Sequence, residues 1–181
     1  GEGVGEAVMN VLYGKVNPSG KLPITFYKNS EQLGDFEDYN IAGRTYRYMK
    51  NDKPLYPFGY GLSYTDFEIG NATLSADKIT KGQTVTMTIP VTNKGKKDGT
   101  EVVQVYVKNP SDPNGPIKQL RAYKRVDVKA GQTVNATITI NDKSLEWFDE
   151  GTNTIHTKEG SYELVYGNSS DATKAIGIKV E

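Results

Sequence analysis

Residues 84–92, Thr84-Val85-Thr86-Met87-Thr88-Ile89-Pro90-Val91-Thr92, set Val85, Met87, Ile89 and Val91 against Thr84, Thr86 and Thr88. Residues 133–140 repeat the pattern, with Val134, Ala136, Ile138 and Ile140 alternating against Thr133, Asn135, Thr137 and Thr139. A period of two puts apolar side chains on one face of a strand and polar ones on the other, as in a sheet buried on one side. Further runs extend the series: Phe67–Ser75, Glu101–Lys108, Leu120–Val128, Gly160–Tyr166 and Ala175–Val180. Turn signals divide them at Lys81-Gly82-Gln83, Asn93-Lys94-Gly95, Asn109-Pro110 and Ala130-Gly131-Gln132.

About seven short strands at this spacing predict a mainly β fold, an immunoglobulin/fibronectin type III-like β-sandwich over residues 66–181. Tyr162 in Gly160-Ser161-Tyr162 is placed to form a tyrosine corner, its hydroxyl bonding back to upstream backbone.

The opening reads differently. Glu6–Tyr13 carries Ala7, Val8, Val11 and Leu12 on one helical stripe, with Gly14 as a stop and Asn17-Pro18-Ser19-Gly20 as a turn. Lys21–Phe26 then alternates as a short strand with Leu22, Ile24 and Phe26 on one face. One short helix and one strand bury too little to offset their ordering entropy. They either pack on the following domain or end an α/β domain whose other elements lie upstream, and the second reading is preferred. Residues 29–65 form an irregular strap rich in Tyr and Phe, whose Pro and Gly exclude a regular helix after Pro54. The expected division is therefore 1–28, 29–65 and 66–181. The chain opens on Gly1 rather than Met, which fits a C-terminal piece of a larger protein and not a complete enzyme.

Composition excludes several function classes. Basic and acidic residues number 22 each, in no long block, which argues against nucleic acid or an anionic membrane as partner. No apolar stretch approaches the roughly 20 residues of a membrane span. Cysteine is absent, so disulfides and thiolate chemistry are excluded, while the compartment stays open between periplasmic, extracellular and cytoplasmic.

Candidate chemistry is sparse. Asp35-Phe36-Glu37-Asp38 and Glu146-Trp147-Phe148-Asp149-Glu150 each offer paired carboxylates, as glycoside hydrolysis needs, but read as solvated loop edges. His156 is the sole histidine, which excludes a multi-His metal site and weakens any triad. Ser19, Ser169 and Ser170 lack a nucleophile-elbow context, and Gly1-Glu2-Gly3-Val4-Gly5-Glu6 lacks the strand and Lys-Ser/Thr of a phosphate loop. Trp147 would stack on sugar if exposed, though core packing between Leu145 and Phe148 is the preferred reading. The acceptor triplets at Asn71, Asn135 and Asn168 are about as many as chance supplies. No catalytic, cofactor-binding or metal residue is expected, and no cofactor.

Three runs resemble the C-terminal part of glycoside hydrolase family 3, the β-glucosidase and β-xylosidase family. They are residues 14–26, Gly-Lys-Val-Asn-Pro-Ser-Gly-Lys-Leu-Pro-Ile-Thr-Phe; Gly43–Tyr48 with Leu55–Phe67; and, in the sandwich, Val91–Gly95, Asp98–Val107, Leu120–Val126 and Gly160–Leu164. The resemblance implies a parent with a (β/α)₈ barrel, an α/β sandwich and a fibronectin type III-like domain. It implies a retaining mechanism with an Asp nucleophile on the barrel and a Glu acid/base upstream of Gly1. Neither motif matches a position here. The implied partners are the upstream catalytic domains, and the parent's β-linked oligosaccharide substrate. Buttressing of those domains is the expected role, with a carbohydrate-binding module or an adhesion and scaffolding domain as alternatives.

Overall fold

The computed structural model describes residues 2–50 and 53–181. Helix α1 (Val4–Leu12) opens the chain, followed by a 3₁₀ turn at Ser30–Leu33 and a single helical turn α2 (Thr45–Tyr48). Eleven strands follow: β1 (Phe67–Ile69), β2 (Thr73–Leu74), β3 (Lys78–Ile79), β4 (Thr84–Asn93), β5 (Gly99–Lys108), β6 (Gln119–Val128), β7 (Thr133–Asn141), β8 (Glu146–Asp149), β9 (Thr154–Thr157), β10 (Gly160–Gly167) and β11 (Lys174–Val180). In one sheet β4 pairs with β1 and β2 along one edge and with β7 along the other; the facing sheet runs β3-β11-β10-β5-β6.

The core lies between them. The alternating side chains of β4 bury Val85, Met87, Ile89 and Val91, and β7 adds Ala136, Ile138 and Ile140. Val134, near the end of β7, stays a third exposed. Val103, Val105 and Val107 of β5, with Leu164 of β10, close the other side. Asn93 ends β4 fully buried with its amide saturated: Nδ2 donates to the carbonyls of Lys97 (2.7 Å) and Val128 (3.0 Å), and Oδ1 accepts from Gly95 N–H (3.0 Å) and the Thr65 hydroxyl (2.5 Å). Such saturation is what allows a polar group in a core.

Three features depart from the sequence expectation. Phe67–Ser75 is two strands, because the chain breaks at Gly70, whose N–H donates to Pro90 O (2.7 Å), before re-pairing with β4 at Thr73. The chain then switches sheets, and β3 pairs parallel with β11. Lys21–Phe26 is not a strand: it makes one bridge, Phe26 to Tyr56, since Pro23 carries no N–H and no sheet lies alongside. The hairpin β8–β9 is additional, fastened to β6 by the Arg121 guanidinium donating to Glu146 O (2.6 Å).

The tyrosine corner forms as expected: the Tyr162 hydroxyl donates to Lys158 O at 3.0 Å, four residues upstream. Replacing Tyr162 by Phe keeps the buried ring and removes that bond. Urea unfolding of the Tyr162→Phe chain is expected to show a loss of about 1 kcal/mol.

Candidate functional site: the seam between the opening segment and the sandwich

The outward face of β5 decides what the opening segment does. Val102, Gln104 and Tyr106 point away from the core, yet Gln104 is only 3% exposed and Tyr106 not at all. Their cover is the strap. Gln104 Nε2 donates to Gly59 O (3.1 Å) and Asn168 O (2.8 Å), and Oε1 accepts from the Tyr106 hydroxyl (2.5 Å). Tyr46 sets its ring edge against Tyr106 at 5.7 Å and stacks on Phe58 at 4.5 Å. The Tyr46 oxygen also accepts Leu120 N–H at 3.1 Å. Burial pushes the Tyr106 phenol far above its ordinary pKa, so it remains a neutral donor. Gly59 has φ +79°, and a Cβ there would lie 2.0 Å from Gln104 Oε1. Only glycine fits that approach.

The turn at 17–20 adds polar fasteners. Asn17 Oδ1 accepts from Ser63 Oγ (2.9 Å) and Tyr64 N–H (2.8 Å), while Nδ2 donates to Asp98 O (3.0 Å). Lys21 Nζ meets Glu101 Oε1 at 2.7 Å, both side chains largely buried, and Arg125 donates to Ser19 Oγ at 2.9 Å. Residues 22–26 run beside 55–60, with Leu22 N–H donating to Tyr60 O (2.8 Å), Gly59 N–H to Leu22 O (2.7 Å) and Phe26 N–H to Tyr56 O (2.9 Å). A Cβ on Gly61 would come 2.2 Å from Gly20 O, so backbone packs on backbone there. Helix α1 hangs on this frame through the Tyr64 hydroxyl, which donates to Val11 O at 2.7 Å.

The far side of the same segment is unpartnered. No described residue before Pro57 is fully buried. Of the stripe expected on α1, Ala7, Val8 and Leu12 are exposed, Leu12 by 69%, and Val11 is half-buried; Val4 on the same helix is exposed as well. Pro18, Leu22, Phe26, Tyr56, Tyr60 and Leu62 line an open apolar groove of about 600 Å³. One side of the segment is thus bonded and stacked onto the sandwich, while the other leaves apolar side chains uncovered, as a finished surface does not.

Of the two acidic clusters, residues 35–38 lie on an exposed loop, whereas Glu146–Asp149 form strand β8 and not a loop edge. Asp35 and Asp38 accept backbone N–H groups of Glu37 (3.0 Å) and Asn40 (2.9 Å). Asp149 takes Lys158 at 2.8 Å, which holds its carboxyl below the usual range, and lies 3.6 Å from His156 Nε2. His156 is a half-exposed strand residue bonded to Thr154. Trp147 is buried, and its indole N–H donates to Asp112 Oδ2 at 2.6 Å. Ser169 and Ser170 are buried behind the strap, where Ser170 N–H donates to Phe58 O (2.8 Å). Sequence reasoning missed Gln104, Asn17 and the Lys21–Glu101 pair. The available signal was Gln104 itself, a lone amide inside the apolar run Val102–Val107.

Lys21→Met leaves Glu101 buried without its counter-charge. It is expected to cost about 3 kcal/mol in urea unfolding, with the Lys21→Met/Glu101→Gln double variant losing less. Gly59→Ala is expected to destabilise more than alanine placed at the open Gly82 turn, measured by thermal melting.

Comparison with known proteins agrees with this geometry. Residues 1–64 match the glycosyl hydrolase family 3 C-terminal domain, and residues 101–170 the fibronectin type III-like domain. A xylan 1,4-β-xylosidase of Xylanibacter ruminicola is 52% identical over 170 residues, covering 94% of this chain and 19% of that protein. A periplasmic β-glucosidase of Salmonella typhimurium is 32% identical over 188 residues, covering 89% of this chain and 25% of that protein. A β-glucosidase of Streptomyces venezuelae, solved with D-glucose, superposes with a TM-score of 0.83 at 32% identity, over 97% of this chain and 24% of that one. The chain spans about a fifth to a quarter of the length of these proteins. It belongs to glycoside hydrolase family 3, of which it carries the C-terminal region.

Proposed function

We propose that this region buttresses the catalytic domains of a β-glycosidase, a β-xylosidase or β-glucosidase of retaining mechanism, and does not itself catalyse. Residues 1–28 are assigned to the end of the parent's α/β sandwich domain, 29–65 to the connecting strap and 66–181 to the fibronectin type III-like domain. One observation carries the reading. The opening segment is fastened to the sandwich through Asn17, Ser19, Lys21 and Gly59 and leaves α1 and the groove at Phe26, Tyr56 and Tyr60 uncovered. A surface of that kind is half of an interface. The sandwich acts as a rigid base that holds the last elements of the α/β domain in place. The relative that is 52% identical is named for xylan 1,4-β-xylosidase activity, which makes an aryl β-xyloside the first substrate to test. The carbohydrate-module reading loses Trp147 as its stacking platform, since that ring faces the core.

The test is expression of the parent with and without residues 66–181, followed by thermal melting and hydrolysis of aryl β-xyloside and β-glucoside. The truncated form is expected to melt lower and to lose activity. Asn17→Ala, which cuts three seam bonds at once, is expected to lower the parent's melting point without changing KM. Unchanged stability and activity in the truncated enzyme would overturn the buttress.

A further inference from the structure

The loop from Gly34 to Gly43 stands apart from the rest of the strap. It is stapled to itself rather than to the sandwich. Arg44 donates to Asp35 O at 3.2 Å and lies 3.9 Å from Asp38, and Arg44 N–H donates to Ile41 O at 3.0 Å. Gly34 (φ +71°) and Gly43 (φ +75°) make the bends at its two ends. Thr45, just past the exit, holds φ +58°, unusual for a β-branched residue, and its N–H donates to Tyr27 Oη at 3.0 Å. A backbone held in that region is fixed by its surroundings, so the direction in which the loop projects is fixed too.

What the loop projects is apolar. Phe36 is 91% exposed and Tyr39 88%, the two most exposed large apolar side chains among the described residues, with Ile41 beside them. Compact self-stapled loops of this size commonly carry recognition. Nothing in the loop explains two aromatic rings held in water, and both are of the kind that anchors interfaces.

We propose that residues 34–43 form a preformed aromatic plug that seats in the catalytic part of the parent enzyme, in an apolar pocket with a basic rim. The inference rests on the buttress reading and names the contact through which the buttress acts. The occupant is argued from length. Proteins that match this chain along nearly all of it are four to five times longer, so roughly three-quarters to four-fifths of such a protein lies outside the structure. The basic rim follows from charge. Asp35, Glu37 and Asp38 flank Phe36 in sequence, three acidic groups against the one guanidinium of Arg44 that the loop pairs with Asp38.

The experiment compares Phe36→Ala/Tyr39→Ala in two contexts. In the 181-residue chain the double variant is expected to leave the melting curve unchanged, because both side chains are already in water. In the parent it is expected to lower the melting point by several degrees and shorten the half-life of activity at elevated temperature, with KM for aryl β-xyloside unchanged. Glu37→Lys, which reverses one charge of the plug, is expected to have the same effect in weaker form and to be worse at low salt. A parent unaffected by the double variant, yet destabilised by loss of residues 66–181, overturns the plug and leaves the buttress standing. A raised KM with an unchanged melting point overturns it in favour of a substrate contact. Dimerisation of the 181-residue chain that the double variant abolishes overturns it in favour of self-association.

Discussion

Gln104 is one amide inside the apolar run Val102–Val107 of β5, and it cannot sit there without partners from elsewhere in the chain. Its three bonds, to Gly59, Asn168 and Tyr106, fix where the strap crosses β5. Once that crossing is set, Phe58 and Tyr46 fall over Tyr106, and the paired segment 22–26 is drawn alongside. An unsatisfied buried amide costs more than a satisfied one gains. Register at this seam therefore comes more from avoiding orphaned polar groups than from apolar contact. The Lys21–Glu101 pair acts the same way, since a buried ion pair adds little net stability but penalises any shift that separates its partners.

Possession of a core divides the molecule. The sandwich has a complete core of its own, filled by the alternating faces of β4, β5, β7, β10 and β11. The opening sixty-odd residues have no core and borrow one surface from the sandwich. That arrangement is what the proposed role of a foundation rests on: a finished core in the sandwich and an uncovered apolar face on the opening segment.

The sandwich was legible because period-two alternation is local, and each of Val85 to Val91 announces its face to its neighbours. The tyrosine corner was legible for the same reason, since Tyr162 bonds only four residues away. The seam was not, because its partners lie far apart in sequence: Asn17 with Asp98, Lys21 with Glu101, Gly59 with Gln104. Lys21–Phe26 looked like a strand because alternation reports an extended chain, and only a neighbour makes that chain a strand. The split of Phe67–Ser75 turns on Gly70 bonding Pro90, a long-range contact that pattern alone does not contain. Trp147 and His156 were legible only as preferences, because nothing local distinguishes the inward face of a short hairpin from the outward one.

The contact of Gly61 on Gly20, backbone against backbone, bears on how this region can be exchanged between enzymes. A chimera joined at residue 65 would set a foreign strap on this β5, with another chain's bulk at Gly59 and Gly61 and another chain's polar spacing over Gln104. A junction near Lys15, ahead of Asn17, would carry both halves of the seam together. The natural unit for transplantation thus begins inside the preceding domain, some fifty residues before the first strand.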